Sequence, residues 1–376
     1  MWWVTEKLLP TFKKTILERG RCMVKNNTSQ KMISGVLTVA GLAALIFALI
    51  MDFSGSGSSL RGPALIVGAV LFLIGIFTFP TIKYHKKIVN IVFLFPLLFC
   101  FVVTVIIPLC LGFFYSTTDW NGIRMTQFLG LKNYVTMFKE PGFLWSVVIT
   151  VLFVVLNMVL VNLVAFALAL LCTSRIKGVG FFRASYFLPN LICGIVLGYV
   201  WQFVFNNVLL NFTSKTFGMN SSLLSNTPTA FMCIIIVYVW QYAGYIMLLY
   251  VTGLTQVPGD VLEASAIDGA SSWQTLIHIK MPMIASTFTI CTFMTLTSAF
   301  KQFDVNMALT NGTGSVNFMG NYLTNGTQML ALNIYNTAIS KNNYALGQAK
   351  AVVFFIMLAI VSIIQVRISN KKEVEM

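Results

Sequence analysis

Long apolar runs separated by short polar stretches dominate the chain, at about 32–51, 60–80, 89–115, 144–172, 184–206, 228–254, 283–302 and 345–367. Each is near or above the ~20 residues an α-helix needs to cross a bilayer's hydrocarbon core. Lipid leaves backbone groups no partner outside the segment, so helices satisfy them best. The pattern predicts an all-α integral membrane protein of about eight transmembrane helices. The Gly/Ser-rich stretch Asp52–Ser59 turns the first two runs into a hairpin. Pro96 and Pro108 predict bends in the third run, and Pro189 is tolerable within the first turns of the fifth.

Basic residues set the orientation. Lys7, Lys13, Lys14, Arg19, Arg21, Lys25 and Lys31 in the first stretch, Lys83, Lys86 and Lys87 after the second run, Arg175, Lys177 and Arg183 after the fourth, and Arg367, Lys371 and Lys372 at the end all mark cytoplasmic flanks. Eight spans then leave both termini in the cytoplasm. The loops this places outside still carry Arg124, Lys132, Lys139, Lys215 and Lys341, which a statistical rule tolerates. For Trp2–Leu17, a surface amphipathic helix and a disordered tail are both open.

One polar island, Pro258 to Pro282, separates the sixth and seventh runs. Asp260 and Glu263 have capping-box spacing and Pro258 cannot extend the preceding helix, so a short helix is predicted from Val261, ended by Gly269. Ser271 and Gln274 repeat the spacing, predicting a second helix that Pro282 interrupts or kinks. Spacing alone leaves an ordinary inter-helix loop as open as a handle for another protein.

Composition narrows the function. Of 376 residues, 57% are hydrophobic and 10% charged, which excludes an ordinary soluble domain. A net charge of +14 would suit nucleic acid, but the basic residues gather at the ends of apolar runs instead of in one stripe. Cys22, Cys100, Cys110, Cys172, Cys193, Cys233 and Cys291 are scattered without a CxxC and read as small buried hydrophobes. With His85 and His278 the only histidines, no metal site or cofactor is expected. Gly178-Val179-Gly180 is a lone GxG, and without a GxxxxGK[ST] loop the chain is not expected to hydrolyse ATP itself. No acid, base and nucleophile gather on one side, so no enzyme is expected. A charged stretch of about thirty residues precedes the first apolar run, unlike a signal peptide.

Glu263-Ala264-Ser265-x-x-Asp268-Gly269-Ala270, followed by Ile279-x-Met281-Pro282, resembles the EAA loop of permease subunits in binding-protein-dependent ABC importers. Ser265 replaces the common second Ala and Met281 the common Leu. Phe128–Tyr134, Gly178-x-Gly180-x-x-Arg183 with Phe187-Leu188-Pro189, and Phe303-Asp304 running to Leu309-Thr310-Asn311-Gly312 resemble other stretches of that family, although Thr313-Gly314 departs from its Gly-Pro ending. The resemblance spans about residues 90–370. It implies a six-helix permease core at 89–370 with a cytoplasmic coupling loop at 255–283. A basic tail (1–31) and an extra transmembrane hairpin with its loop (32–88) precede the core, and a tail (371–376) follows. The implied partners are a second permease in a heterodimer, two cytoplasmic ABC ATPase subunits, an extracellular solute-binding protein and membrane lipids, in a bacterial plasma membrane. ATPase coupling is then assigned to Glu263, Ala264, Asp268, Gly269, Ala270 and Pro282.

The spans are almost free of ionisable groups, which points to an energy source outside this chain. Lys301, Asp304 and Lys350 lie near span ends, where snorkelling to the interface is the default. The sixth run holds Tyr238, Trp240, Gln241, Tyr242 and Tyr245, and the seventh Thr295, Thr297, Ser298 and Gln302. Gln241 and Tyr245 share a helix face, as do Ser298 and Gln302. Uncharged amides and hydroxyls beside aromatic rings suit a neutral polyhydroxylated ligand. Helix packing and interfacial anchoring remain equally open for these residues. Resemblance to maltose-type permeases places that family's sugar contacts at Tyr238, Gln241, Tyr242, Tyr245, Thr295, Ser298, Ala299 and Gln302. Tyr245 keeps the family's aromatic and Trp240 its tryptophan, while Tyr238, Ala299 and Gln302 stand where it has Asn. The resemblance thus implies a carbohydrate cargo, an oligosaccharide, without fixing which. Glycerol phosphate or another polar solute is the alternative cargo, and a gradient-driven carrier or channel the rival mechanism.

Overall fold

A computed structural model describes residues 28–53, 61–78, 85–174, 177–212 and 221–374. Expectations for Trp2–Leu17, Cys22, most of the Gly/Ser turn, Lys83, Arg175 and Lys215 fall outside these residues. The chain divides into two compact units, Met1–Pro108 and Leu109–Met376.

The first unit contains α1 (Thr28–Phe53), α2 (Arg61–Thr78) and α3 (His85–Phe101). α1 and α2 form the predicted hairpin, packed so closely that a Cβ on Gly41 would strike the backbone of Phe72 and one on Gly75 the backbone of Thr38. Small residues permit such backbone approach between apolar helices. Their apolar stretches, Met32–Ala48 and Gly62–Gly75, are shorter than the spans of the rest of the chain. α3 continues through a π turn, Val102–Ile106, into α4 (Ile107–Tyr115). Pro108 cannot donate to the ladder, and the wider turn, in which the Ile107 N–H reaches the Val102 carbonyl, accommodates it. The bend expected at Pro108 therefore resolves into a local π turn within one span, Phe93–Tyr115, while Pro96 lies inside the α-helical part of that span.

In the second unit follow α5 (Lys132–Lys139), α6 (Pro141–Thr173), α7 (Val179–Phe187), α8 (Gly194–Phe203) and α9 (Thr227–Thr255). Next come α10 (Gly259–Ile267), α11 (Ser272–Thr275), α12 (Met281–Met283), α13 (Ala285–Phe300) and α14 (Asp304–Leu309). A hairpin of β1 (Val316–Phe318) and β2 (Asn321–Leu323), α15 (Leu330–Tyr335) and α16 (Tyr344–Val374) complete it. Among the described residues five helices are long and apolar enough to cross a membrane, or six when the pair Ser272–Met283 and Ala285–Phe300, bent by 73°, counts as one. That supports a six-span core, with the N-terminal hairpin's shorter helices in addition.

The fifth predicted span needs correction. It does not run from 184: α7 ends in a 3-10 turn at Leu188–Leu191, and Ile192 and Cys193 are extended before α8 begins at Gly194. Pro189, lacking an N–H, sits in that turn and not inside the span. α8 then continues through a second π turn, so the span reaches Phe212.

α9 is the central helix, more deeply buried than α6 or any other long apolar helix among the described residues. An aromatic ladder joins it to its neighbours: Phe153 meets Tyr238 edge-on at 5.1 Å, and Tyr250 lies 5.4 Å from Phe166 and 4.9 Å from Phe288. Asn162 ties α6, α9 and α13 together, accepting from the Tyr250 hydroxyl at 2.9 Å and donating to Thr295 Oγ1 at 3.3 Å. The segment from α14 to α15 caps the first turns of α6 and α9. The Trp145 indole donates to the Gly326 carbonyl, Thr227 Oγ1 to the Ser315 carbonyl, and the Leu330 N–H to Thr150 Oγ1, at 2.7–2.8 Å. The polar island leaves the opposite end of α9.

Candidate functional site

The island folds as a helix, a glycine corner and a second helix, with one change at its start. α10 begins at Gly259 on Pro258, and Asp260 and Glu263 form no capping box. The helix starts two residues earlier than predicted, leaving Asp260 inside the first turn, where a carboxylate favours the positive end of the helix dipole. Gly269 ends α10 at φ +75°. The Gly269 N–H donates to Ala266 and the Ala270 N–H to Ser265, which is the Schellman pattern and needs a left-handed residue at the corner. Ser271 and Gln274 form the second capping box as predicted, the Ser271 N–H donating to Gln274 Oε1 at 2.8 Å and the Gln274 N–H to Ser271 Oγ at 3.3 Å. Ser265 is buried in the elbow, donating to the Leu262 carbonyl and lying 3.4 Å from the Thr275 hydroxyl. A π turn, Leu276–Lys280, precedes Pro282, and the bend falls at Ile284.

This elbow presents Glu263, Ala264, Asp268 and Gly269 to the exterior, with Ala270 and Pro282 half-buried. Neither Glu263 nor Asp268 is drawn into an ion pair by the described residues. Ile267 is 86% and Trp273 69% exposed beside them. These two apolar residues were not singled out in the sequence, though their place at the corner of an otherwise polar island marks them. Exposed acids around apolar knobs on a rigid elbow make a surface suited to a protein partner.

The predicted cargo residues are placed unequally. Tyr242 stacks on the fully buried Tyr238 at 4.3 Å and is half-buried itself. Gln241 is buried, its amide 3.3 Å from the Ile192 carbonyl in the break before α8. Tyr245 and Ser298 are half-buried, and Gln302 is buried with its Nε2 unpartnered among the described residues. The Tyr238 hydroxyl is likewise buried without a partner. Trp240 points elsewhere, 44% exposed and edge-on to Trp201. Thr295 is consumed by packing, donating to the Cys291 carbonyl and accepting from Asn162. An apolar cavity of about 210 Å³ lined by Leu171, Cys172, Val179, Phe182 and Tyr186 contains none of these residues.

The family described as "Binding-protein-dependent transport system inner membrane component" matches residues 177–374, which contain the whole elbow. The chain belongs to this family. It is 42% identical over 285 residues to the probable starch degradation products transport system permease protein AmyD of Thermoanaerobacterium thermosulfurigenes, covering 76% of this chain and 94% of that one. It is 32% identical over 275 residues to the multiple sugar-binding transport system permease protein MsmF of Streptococcus mutans, covering 71% and 90%. In fold it resembles a chain of a bacterial ABC transporter that imports the acidic polysaccharide alginate, with TM-score 0.66 at 16% identity, covering 77% of this chain and 97% of that one. As an inner membrane component, the chain is a multi-pass, non-catalytic subunit of a transporter.

Two features of this inner membrane component escaped the sequence reading. Lys350 does not snorkel: its side chain is fully buried, with Nζ 2.6 Å from the Glu140 carboxylate and 2.8 Å from both Asn333 Oδ1 and Thr337 Oγ1. The burial follows from α15 and its continuation covering the first turns of α16, where Asn333 and Thr337 offer acceptors one turn apart. Asp304, by contrast, is exposed and unpaired among the described residues, and its carboxylate overlies the first residue of α8, with Oδ2 3.1 Å from where a Gly194 Cβ would stand. The cysteines split, with Cys172, Cys233 and Cys291 buried but Cys100, Cys110 and Cys193 exposed, so the reading of them as buried hydrophobes holds for the first three.

Proposed function

We propose that this subunit forms the translocation path for a carbohydrate, an oligosaccharide, in an ATP-driven importer, and takes its power from a separate ATPase through the elbow at 255–283. The observation that carries this reading is the elbow itself, a doubly capped corner with exposed acids and apolar knobs at the end of the central helix α9. A push on it is transmitted along α9 to Gln241, Tyr242 and Tyr245, and across the Ile284 bend to α13 with Ser298 and Gln302. The sugar transporters named among its relatives support the cargo class. In this reading Glu263, Ala264, Asp268, Gly269, Ala270 and Pro282 meet the ATPase pair on the cytoplasmic side. A second permease completes the path, an external solute-binding protein delivers the sugar, and both termini are cytoplasmic.

Reconstituted with its partner subunits in proteoliposomes, the protein should take up radiolabelled oligosaccharide in an ATP-dependent way. Gly269→Pro removes the left-handed corner and should abolish uptake while membrane insertion persists. Wild-type uptake by this variant, or uptake by the chain without any ATPase, refutes the reading.

A further inference from the structure

Asp304 is an exposed carboxylate that forms no hydrogen bond or ion pair with the described residues. It begins α14, two residues beyond Gln302, and packs over Gly194 at the start of α8. α8 has no side-chain cap, so its first N–H groups and dipole favour a negative charge at this place. The break before α8 also carries the Ile192 carbonyl that Gln241 contacts, and Tyr242, stacked on Tyr238, lies within electrostatic reach of the carboxylate. Tyr238, under Tyr242, and Gln302, two residues before Asp304, bury a hydroxyl and an Nε2 that have no partner among the described residues. The arrangement combines an aromatic face, unused donors and one unused anionic acceptor.

We propose that Asp304 is a cargo-contacting, specificity-determining residue whose carboxylate accepts hydroxyls of a neutral oligosaccharide and excludes acidic ones. This rests on the carbohydrate reading above. A carboxylate has two oxygens able to accept from vicinal hydroxyls, and such charge-assisted bonds are about twice as strong as neutral ones. A uronate brought to the same place meets like charge at contact distance, where even a solvated pair repels. The uncapped N-terminus of α8 lies beneath this carboxylate and offers it a favourable dipole.

The test uses the assembled transporter without its solute-binding protein, so that binding reports this site alone, with maltotriose as neutral probe and trigalacturonate as acidic probe. Calorimetry on the wild type should detect maltotriose and little or no trigalacturonate. Asp304→Asn keeps the shape and removes the charge; it should weaken maltotriose binding about tenfold or more and let trigalacturonate bind. Asp304→Glu should restore the wild-type preference in part. Unchanged affinities in Asp304→Asn overturn the proposal, as does a variant that loses only thermal stability or only assembly with the second permease, since the carboxylate would then be a helix cap or a subunit contact. If the wild type binds trigalacturonate as tightly as maltotriose, the discrimination fails. If neither maltotriose nor any other neutral oligosaccharide binds or is transported by the wild type, the carbohydrate reading itself falls.

Discussion

Replacing Glu140 by glutamine isolates what the buried ion pair contributes. Lys350 Nζ keeps Asn333 Oδ1 and Thr337 Oγ1 at 2.8 Å and the Phe143 ring at 5.5 Å, but loses the carboxylate that stood 2.6 Å away. Stranding a buried charge costs about 3–5 kcal/mol. Two neutral acceptors and an aromatic face remain with the ammonium, and the Glu140 side chain is 30% exposed, so the low end, about 3 kcal/mol, is expected. Lys350→Met is milder, at about 1–3 kcal/mol: it strands two neutral acceptors, while the carboxylate can hydrate. The double variant should lose less than the sum of the two by at least about 1.5 kcal/mol, because each change removes the partner the other would strand. Lys341 is the internal control, 3.8 Å from the same carboxylate but 67% exposed, and Lys341→Ala should shift stability by no more than about 0.5 kcal/mol. Denaturant unfolding of the purified protein in detergent, followed by tryptophan fluorescence, measures all four. Additive losses, or a Glu140→Gln effect no larger than that of Lys341→Ala, would refute the ion pair as a fastening between α6 and α16.

Gly244→Ala should lower unfolding stability by about 1–3 kcal/mol or prevent a monodisperse preparation, because its Cβ would collide with the Tyr186 carbonyl where α9 crosses the end of α7; an unchanged unfolding midpoint contradicts that approach. In the loop after α4, the Thr126 hydroxyl and the N–H groups of Gln127 and Thr126 hold the Asp119 carboxylate down to about 2 from 3.8. Its folded pKa lies below the unfolded one, so its contribution is complete above about pH 4 and disappears as pH falls through about 2. Hydrogen exchange at residues 126 and 127, corrected for intrinsic rates, should stay slow to about pH 4 and quicken towards pH 2; quickening already at pH 5 argues against it.

What the sequence made legible follows from how local each signal is. Apolar length located every span but the fifth to within a few residues, and Ser271 with Gln274 and Gly269 shaped the elbow, because caps and corners depend on three or four neighbouring residues. The failures arise where distant segments meet. Lys350 reads as a snorkelling residue until Asn333, Thr337 and Glu140, far from it in sequence, are folded around it. The run at 184–206 reads as one helix because hydropathy does not register that Pro189 and the extended Ile192 and Cys193 interrupt the backbone ladder. Met319 at φ +50° and Gly320 at φ +75° turn the β1–β2 hairpin, a two-residue signal hidden in a long polar loop.

The polar residues of the central helices therefore divide by whether the fold satisfies them. Asn162, Tyr250 and Thr295 close a network among themselves and the Cys291 carbonyl, so their hydrogen bonds help hold α6, α9 and α13 together. The Tyr238 hydroxyl and Gln302 Nε2 stay buried without partners among the described residues, an arrangement that costs about 1–3 kcal/mol for each group and gains the fold nothing. Tyr242 shields Tyr238 and is the more accessible ring, so a sugar would reach Tyr242 and the Asp304 carboxylate before either orphan. Binding that pairs those donors would recover their desolvation penalty only when cargo is present, which ties the cost to transport and not to stability.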